Sequence, residues 1–441
     1  MASAVEQLAA NLDFRLFAKA EDLKKRIWFT LGALVIYRLG TYIPLPGINM
    51  DIMAAIAKQN ASGILGMVDM FSGGALWRMT VFVLSIVPYI TSSIIVQLMA
   101  AIYPPWEALR KEGETGKQKL NQFTRYGTVL LASGQAFALA KTLEANGAVL
   151  YPGFFFEIST VITVVGATMF LLWLGEQITS RGIGNGVSMI IFSGIVANLP
   201  QALLRMFELG RAGEYHIGFI LAILILTVAV IAFIVFMERA QYKVVVQYPK
   251  RQVGMRVLGG ESTHLPLKLN SAGVIPPIFA NSLLLMPITL LSSFNHEAEW
   301  VQVLTFHLNR GRFIYILLYS LLITFFAFFY TALVFNPTET SENLKKSGAF
   351  IPGIRPGQNT ANYFDYILTR LTVVGSLYLV AVCILPEFLQ MKYALPFYLG
   401  GTSLLIVVSV TMDTVGQVHS HLLAHQYEGL LKKSHFNLKN R

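Results

Sequence analysis

The sequence predicts an all-α polytopic membrane protein: ten transmembrane helices in two inverted halves of five, with one re-entrant segment. Three observations predict it: the composition, the charge-free runs, and the side on which Lys and Arg collect. Of 441 residues, 54% are hydrophobic and 13% charged, more apolar surface than a water-soluble domain can bury. Charge-free runs at 79–103, 182–204, 215–237, 269–296, 313–338 and 393–412 each match a hydrocarbon core of ~30 Å at ~1.5 Å per helical residue. Weaker runs at 27–43, 126–140, 158–175 and 371–386 complete the ten. With connections alternating between the two sides, 25 of the 34 Lys and Arg fall on one side, so the positive-inside rule predicts cytoplasmic termini.

Residues 1–26 form a charged, amphipathic cytoplasmic segment without the apolar core and small-residue cleavage site of a secretory signal, so no cleaved signal is expected. The first half covers 27–204 (spans one to five), the second 205–416 (spans six to ten), and a cytoplasmic tail follows at 417–441. Because five is odd, a second set that repeats the first must run inverted, a pattern familiar from membrane transport proteins. In each half the second span is interrupted. One holds Pro88 with Ser85, Thr91, Ser92, Ser93 and Gln97; the other holds Pro276, Pro277 and Pro287 with Asn281 and Ser282. Interruptions in corresponding positions point to a transport path, whereas any single one also reads as a kink in a packed helix.

Ahead of the second span lies "MVDMFSGGALWRM" (67–79). The stretch 62–77 is too short to cross a bilayer and contains Asp69. It is also too apolar for an exposed loop, with Ile64, Leu65, Met67, Val68, Met70 and Phe71 before a flexible Gly73-Gly74 break. A short helix re-entering from outside satisfies both facts; an outer loop packed on the rim is the other reading. Two loops on the basic side are long. In 238–268, "YKVVVQY" followed by "VGMRVLGG" reads as a β-hairpin with a basic tip at Lys250, Arg251 and Arg256. The second, 336–370, is rich in Gly, Pro and Asn around Arg355. Loops of this length usually act outside the membrane, although topology alone also accounts for their charge.

No nucleotide-binding loop, dinucleotide fingerprint or metal-protease helix occurs, so neither a cofactor nor an enzymatic activity is expected. His419, His421 and His425 lack acidic or thiol companions and read as a polar helix end, and the single Cys383 excludes an internal disulfide. An ion-coupled carrier places ionisable groups at the bilayer midplane. Here Arg38 sits near the outer end of span one, where it can snorkel, and Glu176, Glu238 and Asp413 lie at cytoplasmic ends. That scarcity argues against the rival reading, a secondary solute transporter with inverted repeats. An intramembrane protease would need paired acids or a Ser–His pair at depth, and neither is found. The middles of spans two, five, seven and ten offer Ile86, Ile90, Val187, Ile191, Ile278 and Ile406, which by residue type alone are core or lipid-facing.

The stretches "MFSGGALWR", "PYITSSIIVQL", "WLGEQITSRGIGNG", "STHLPLK", "AGVIPPIFA", "FFYTALVFNPTET", "NLKKSGAFIPGIRPG" and "PFYLGGTSLLIVV" resemble the SecY family, the channel subunits of the bacterial Sec protein translocon. The likeness runs through all ten spans and both large loops. It implies a multi-pass channel in the bacterial inner membrane that passes unfolded secretory polypeptides and releases membrane segments sideways into lipid. By motif, Ile86, Ile90, Val187, Ile191, Ile278 and Ile406 match the family's pore ring, a narrow apolar constriction that dewets and blocks ions. Thr91, Ser92, Gln97, Asn281 and Ser282 match its lateral gate, where signal sequences lie. Ile64, Met67, Asp69, Met70, Phe71, Gly73 and Gly74 match its plug, at about 62–74. Lys250, Arg251, Arg256 and Arg355 match the tips that dock the SecA ATPase and the ribosome, including its rRNA. Small membrane subunits SecE and SecG are the remaining implied partners.

Overall fold

The computed structural model describes residues 20–53, 72–76, 78–213, 216–248, 251–253, 256–258, 262–291, 312–393 and 401–439. Ile64, Met67, Asp69, Met70, Phe71 and Lys250 lie outside them. Helices α1 (Glu21–Gly40), α2 (Val87–Ile102), α3 (Pro104–Lys111), α4 (Glu114–Ala145), α5 (Phe154–Arg181) and α6 (Gly186–Arg211) come first. The second set holds α7 (Ile217–Arg239), α8 (Ile275–Leu291), α9 (Phe313–Val334), α10 (Pro337–Lys346), α11 (Gln358–Tyr393) and α12 (Gly401–Lys439). Strands β1 (Gln241–Gln247), β2 (Arg251–Val253), β3 (Arg256–Leu258) and β4 (Ser262–Lys268) lie between α7 and α8.

Six helices among the described residues are individually long and apolar enough to cross a bilayer, and α2 with α3 would make a seventh if that pair, bent by 98°, is one span. At 16 and 17 residues, α2 and α8 fall short of the ~20 a crossing needs. Along α7, Leu221, Ile225, Val228 and Phe236 are all more than half exposed, an apolar face that only lipid can solvate.

The two sets repeat one neighbour pattern. In the first, α2 packs on α4, α4 on α5, α5 on α6, and α1 on α5 and α6. In the second, α8 packs on α9, α9 on α11, α11 on α12, and α7 on α11 and α12. The correspondence reaches single residues. Gly186 opens α6 and Gly401 opens α12; a Cβ on either would lie 1.9 Å from a carbonyl oxygen of the preceding long helix, Gly175 O and Val382 O respectively. Absent side chains let backbones approach, which is how helices associate where lipid removes the hydrophobic drive.

Two expectations are corrected. The second span was placed at 79–103, but 78–86 run as turns, with Met79 (φ 41) and Ser85 (φ 49) left-handed, and the helix begins only at Val87. The irregular stretch is buried, and its backbone pairs with the 43–45 segment through Leu45 N–H to Met79 O (2.8 Å) and Val81 N–H to Ile43 O (3.0 Å). Non-helical backbone survives at depth when protein satisfies it. Pro88 falls in the first turn of α2, and Pro276-Pro277 in that of α8, so these prolines start helices and do not break them. The hairpin pairing also differs: β1 pairs antiparallel with β4, Val244 opposite Leu265, while β2 and β3 form a separate short pair. Only the β1–β4 register buries Val244, Val246 and Leu267 together, with Val244 and Leu267 on a common core.

Gly186→Ala is expected to lower the thermal unfolding temperature in detergent strongly, at a cost of at least ~1–3 kcal/mol for overpacking. Gly166→Ala, mid-helix in α5 with nothing within 4 Å of the added Cβ, should be neutral or stabilise by up to ~1 kcal/mol. Equal melting for the two variants would mean that α5 and α6 are not in glycine contact.

Candidate functional site

The two sets meet along a seam. On one side α2 and α4 touch α8; on the other, α6 touches α12 and α7, and α1 touches α12. The six branched residues singled out from spans two, five, seven and ten come together there. Ile191 and Ile406 are buried in one apolar cluster, with Ile90, Val187 and Ile278 packed against it. Ile86 is buried in a second cluster, to which Ile90 and Val187 also belong, so the two clusters are continuous through that pair. The place where they join is aliphatic and offers no fixed hydrogen-bond pattern.

Next to this joint the chain from Ser72 to Leu76 is fully buried. Tyr37 donates its hydroxyl to Ser72 O (3.3 Å), and Arg38 Nη1 donates to Gly73 O (3.1 Å). Arg38 was expected to snorkel; its guanidinium instead turns back to hold this segment, because a buried backbone carbonyl needs a donor. Gly73 (φ 69) lies in the left-handed region, and a Cβ there would meet Arg38 Nη1 at 2.5 Å and Gly194 Cα at 3.0 Å. Gly194 is three residues along α6 from Ile191. The segment after 62–71 thus ends inside the protein, against α1 and α6.

Apart from Ser85, which precedes α2, the polar residues of the interrupted spans lie in α2 and α8, which pack on one another. Thr91 and Ser92 are buried; Thr91 donates to Val87 O (3.1 Å) within its helix, and Ser92 to Thr124 O of α4 (2.8 Å). Gln97 donates to Ser93 Oγ (3.0 Å), but its Oε1 finds no partner among the described residues. Asn281 and Ser282 are buried in α8, and both polar atoms of the Asn281 side chain are unpaired among the described residues. Unsatisfied buried amides weaken an interface, at a cost of ~1–3 kcal/mol each.

On the hairpin side of the joint opens a cavity of about 1040 Å³, lined in part by Ser188, Glu238, Lys243, Lys268, Asp413 and His421. It is polar and of mixed charge, and its α6 and α12 walls hold Ser188, next to Val187, and Val410, one turn beyond Ile406. Asn185 begins the α6 wall by capping that helix, its Oδ1 accepting from Val187 N (3.1 Å). His421 lines this cavity. The sequence carried a weak sign of the polar lining, since Lys243 and Lys268 stand at the base of the strands, but nothing local tied them to α12.

The two long loops form a single body. Gln247 and Phe350 exchange both backbone hydrogen bonds (2.9 and 3.0 Å), joining β1 to the 336–370 loop. Beneath them Val244, Leu267, Ile351, Phe364 and Ile367 share a core. Arg355 projects, exposed, from this body: Thr360 Oγ1 donates to its carbonyl (3.1 Å), and Ser341 Oγ donates to Gly357 O (2.6 Å) nearby. Arg251 and Arg256 lie in β2 and β3 at the far end of the hairpin. Phe364→Ala should cost about 3–5 kcal/mol locally and speed amide exchange in β1. Unchanged exchange across 241–247 would mean that the loops are independent.

A family model, SecY, matches residues 80–415. The protein translocase subunit SecY of Rickettsia conorii is 56% identical over 424 residues, covering 95% of this chain and 98% of that protein. The protein of the same name from Escherichia coli K12 is 50% identical over 424 residues, covering 95% of each chain. A solved protein-conducting channel superposes with a TM-score of 0.65 at 17% identity, over 90% of this chain and 92% of the other. Sec61 in a canine ribosome-channel complex from the endoplasmic reticulum gives 0.61 at 17% identity over the same shares. The chain belongs to the SecY family.

Proposed function

We propose that this chain is the polypeptide-conducting channel of a protein translocase, a multi-pass membrane protein with no catalytic site. The observation that carries the reading is the aliphatic joint at the seam of two helix sets, with a wide polar cavity opening above it. A constriction of Ile and Val dewets, so it blocks ions at rest, and its side chains can yield around a passing chain of any sequence. Ile86, Ile90, Val187, Ile191, Ile278 and Ile406 are the pore ring in this proposal. The segment at about 62–74, anchored at Gly73 and Gly74 beside α6, is the plug. The α2–α8 contact is the lateral gate, through which an apolar segment reaches lipid. The Asn281 amide and Gln97 Oε1, which find no partner among the described residues, weaken that contact, which suits an interface that must part.

The solute-transporter reading calls for ionisable groups at this joint, and among the described residues its packing is aliphatic. Domain limits follow the same reading: an N-terminal segment 1–26, halves 27–204 and 205–416 with cytoplasmic loops 238–268 and 336–370, and a tail 417–441, both termini cytoplasmic, in the bacterial inner membrane. Energy comes from outside the chain, from SecA or a ribosome docked on the joined loops, where Lys250, Arg251, Arg256 and Arg355 present charge to rRNA phosphates or an acidic protein surface. SecE and SecG are proposed as companion subunits through family membership.

In reconstituted vesicles the parent should import a secretory precursor while holding ions back. Ile86→Ser, Ile406→Ser and Gly73→Ala, the last through its clash with Arg38 and Gly194, should each raise resting ion conductance roughly tenfold while import continues. Resting channels as tight as the parent in all three would overturn the ring and plug assignments. Arg355→Glu should cut SecA-driven import at least roughly tenfold, as expected for losing a charged anchor, with channel abundance unchanged. Import at the parental rate would remove Arg355 from the docking surface.

A further inference from the structure

The short helix α3 makes one long-range tie that the channel reading does not use. Arg110 Nη2 donates to the carbonyl of Leu333 at 2.7 Å, a bond between residues 223 apart in sequence. Leu333 lies one residue before the end of α9, where the last carbonyls have no partner within their own helix. The chain turns extended at Phe335 (φ −115, ψ 114). Pro337, four residues after Leu333, has no N–H, so continuing α9 could not supply the missing donor either. A cation at this helix end is also favoured by the helix dipole.

The bond joins parts that belong to opposite sides of the seam. Trp106 of α3 stacks on Phe123 of α4 (4.9 Å between centroids, 10° between planes), and α3 also packs on α2. So α3 travels with the first set. Helix α9 packs on α8 and α11 and travels with the second. The contacts that must part for the gate to open, α2 with α8 and α4 with α8, lie between the two anchor points.

We propose that Arg110 is a positioning residue for the gate: a latch that holds α3 to the free end of α9 while α2 and α8 are together and releases when they separate. This rests on the lateral-gate reading above. The bond is exposed, so it is strong enough to bias the closed state and weak enough to break when an apolar segment enters. Its loss lowers the apolarity a segment needs to leave sideways, without touching the aliphatic ring.

The test uses the full chain, with its co-purifying subunits, in lipid nanodiscs, spin-labelled through Ile95→Cys on α2 and Phe328→Cys on α9, both exposed positions. Arg110→Ala should raise the long-distance population roughly fivefold, the size expected for one hydrogen bond. Arg110→Lys, which keeps a donor, should fall between Arg110→Ala and the parent. Glu107→Ala breaks the Glu107–Lys111 pair within α3 (2.6 Å) and controls for local damage to that helix; it should match the parent. In import assays Arg110→Ala should also let a less apolar stop-transfer segment integrate. If Arg110→Ala gives the parental distance distribution and threshold while the parent imports precursor normally, the latch is wrong and the channel reading stands. A parent that imports nothing would overturn the channel reading and the latch with it.

Discussion

The structure depends on how weakly apolar helix faces hold together when the surrounding solvent is itself apolar. In water the seam between the two helix sets would be a hydrophobic core, and separating it would cost ~25 cal/mol for every Å² exposed. In lipid, hydrocarbon tails replace the lost neighbour and most of that cost vanishes. What remains is dispersion packing among Ile90, Val187, Ile191, Ile278 and Ile406, and a few polar ties such as Arg110 to Leu333. The same chain is firm inside each set, where Gly186 on Gly175 and Gly401 on Val382 bring backbones into contact. Rigidity within the halves and a soft line between them arise from one rule: where small residues let backbones meet, packing is strong, and where branched side chains meet across a gap, it can be undone.

The helical set and the membrane environment were legible because they are one-dimensional properties of the sequence. A charge-free run near 20 residues and a biased distribution of Lys and Arg need no tertiary information. The start of α2 was not legible. Residues 79–86 are as apolar as a helix, and only the pairing with residues 43–45 shows that their backbone is satisfied from outside. Strand pairing failed for the same reason: "VGMRVLGG" alternates as well as "STHLPLK" does, and the choice between them is made by Phe364 and Ile367, which lie about a hundred residues further on. The position of Arg38 near a helix end suggests snorkelling, whereas its partner, the carbonyl of Gly73, lies 35 residues away, where no local signal in the sequence ties it to α1.

Of the residues singled out for function, those on helices were easier to place than those on loops. The six branched residues meet at the seam because Ile86 lies just before α2 and the other five lie in the first two turns of α2, α6, α8 and α12, so the starts of these helices converge there. Among the polar residues of α2 and α8, sequence could not show that Ser92 would be satisfied by Thr124 of α4 while Asn281 would find no partner among the described residues. Satisfaction is a property of the space between helices. That space also shapes the polar cavity, whose walls come from α6, α7, β1, β4 and α12 together.

The backbone bridge between Gln247 and Phe350 has a mechanical meaning. Both loops that it fuses are inserted between helices of the second set, one after α7 and one after α9, and the α11 side chains Phe364 and Ile367 form part of their shared base. Among the described residues, the core of that platform is drawn from the second set alone. A load applied to its outer tip is therefore carried into one side of the seam alone, as torque on a handle fixed to one leaf of a hinge, while the other leaf stays where the membrane holds it.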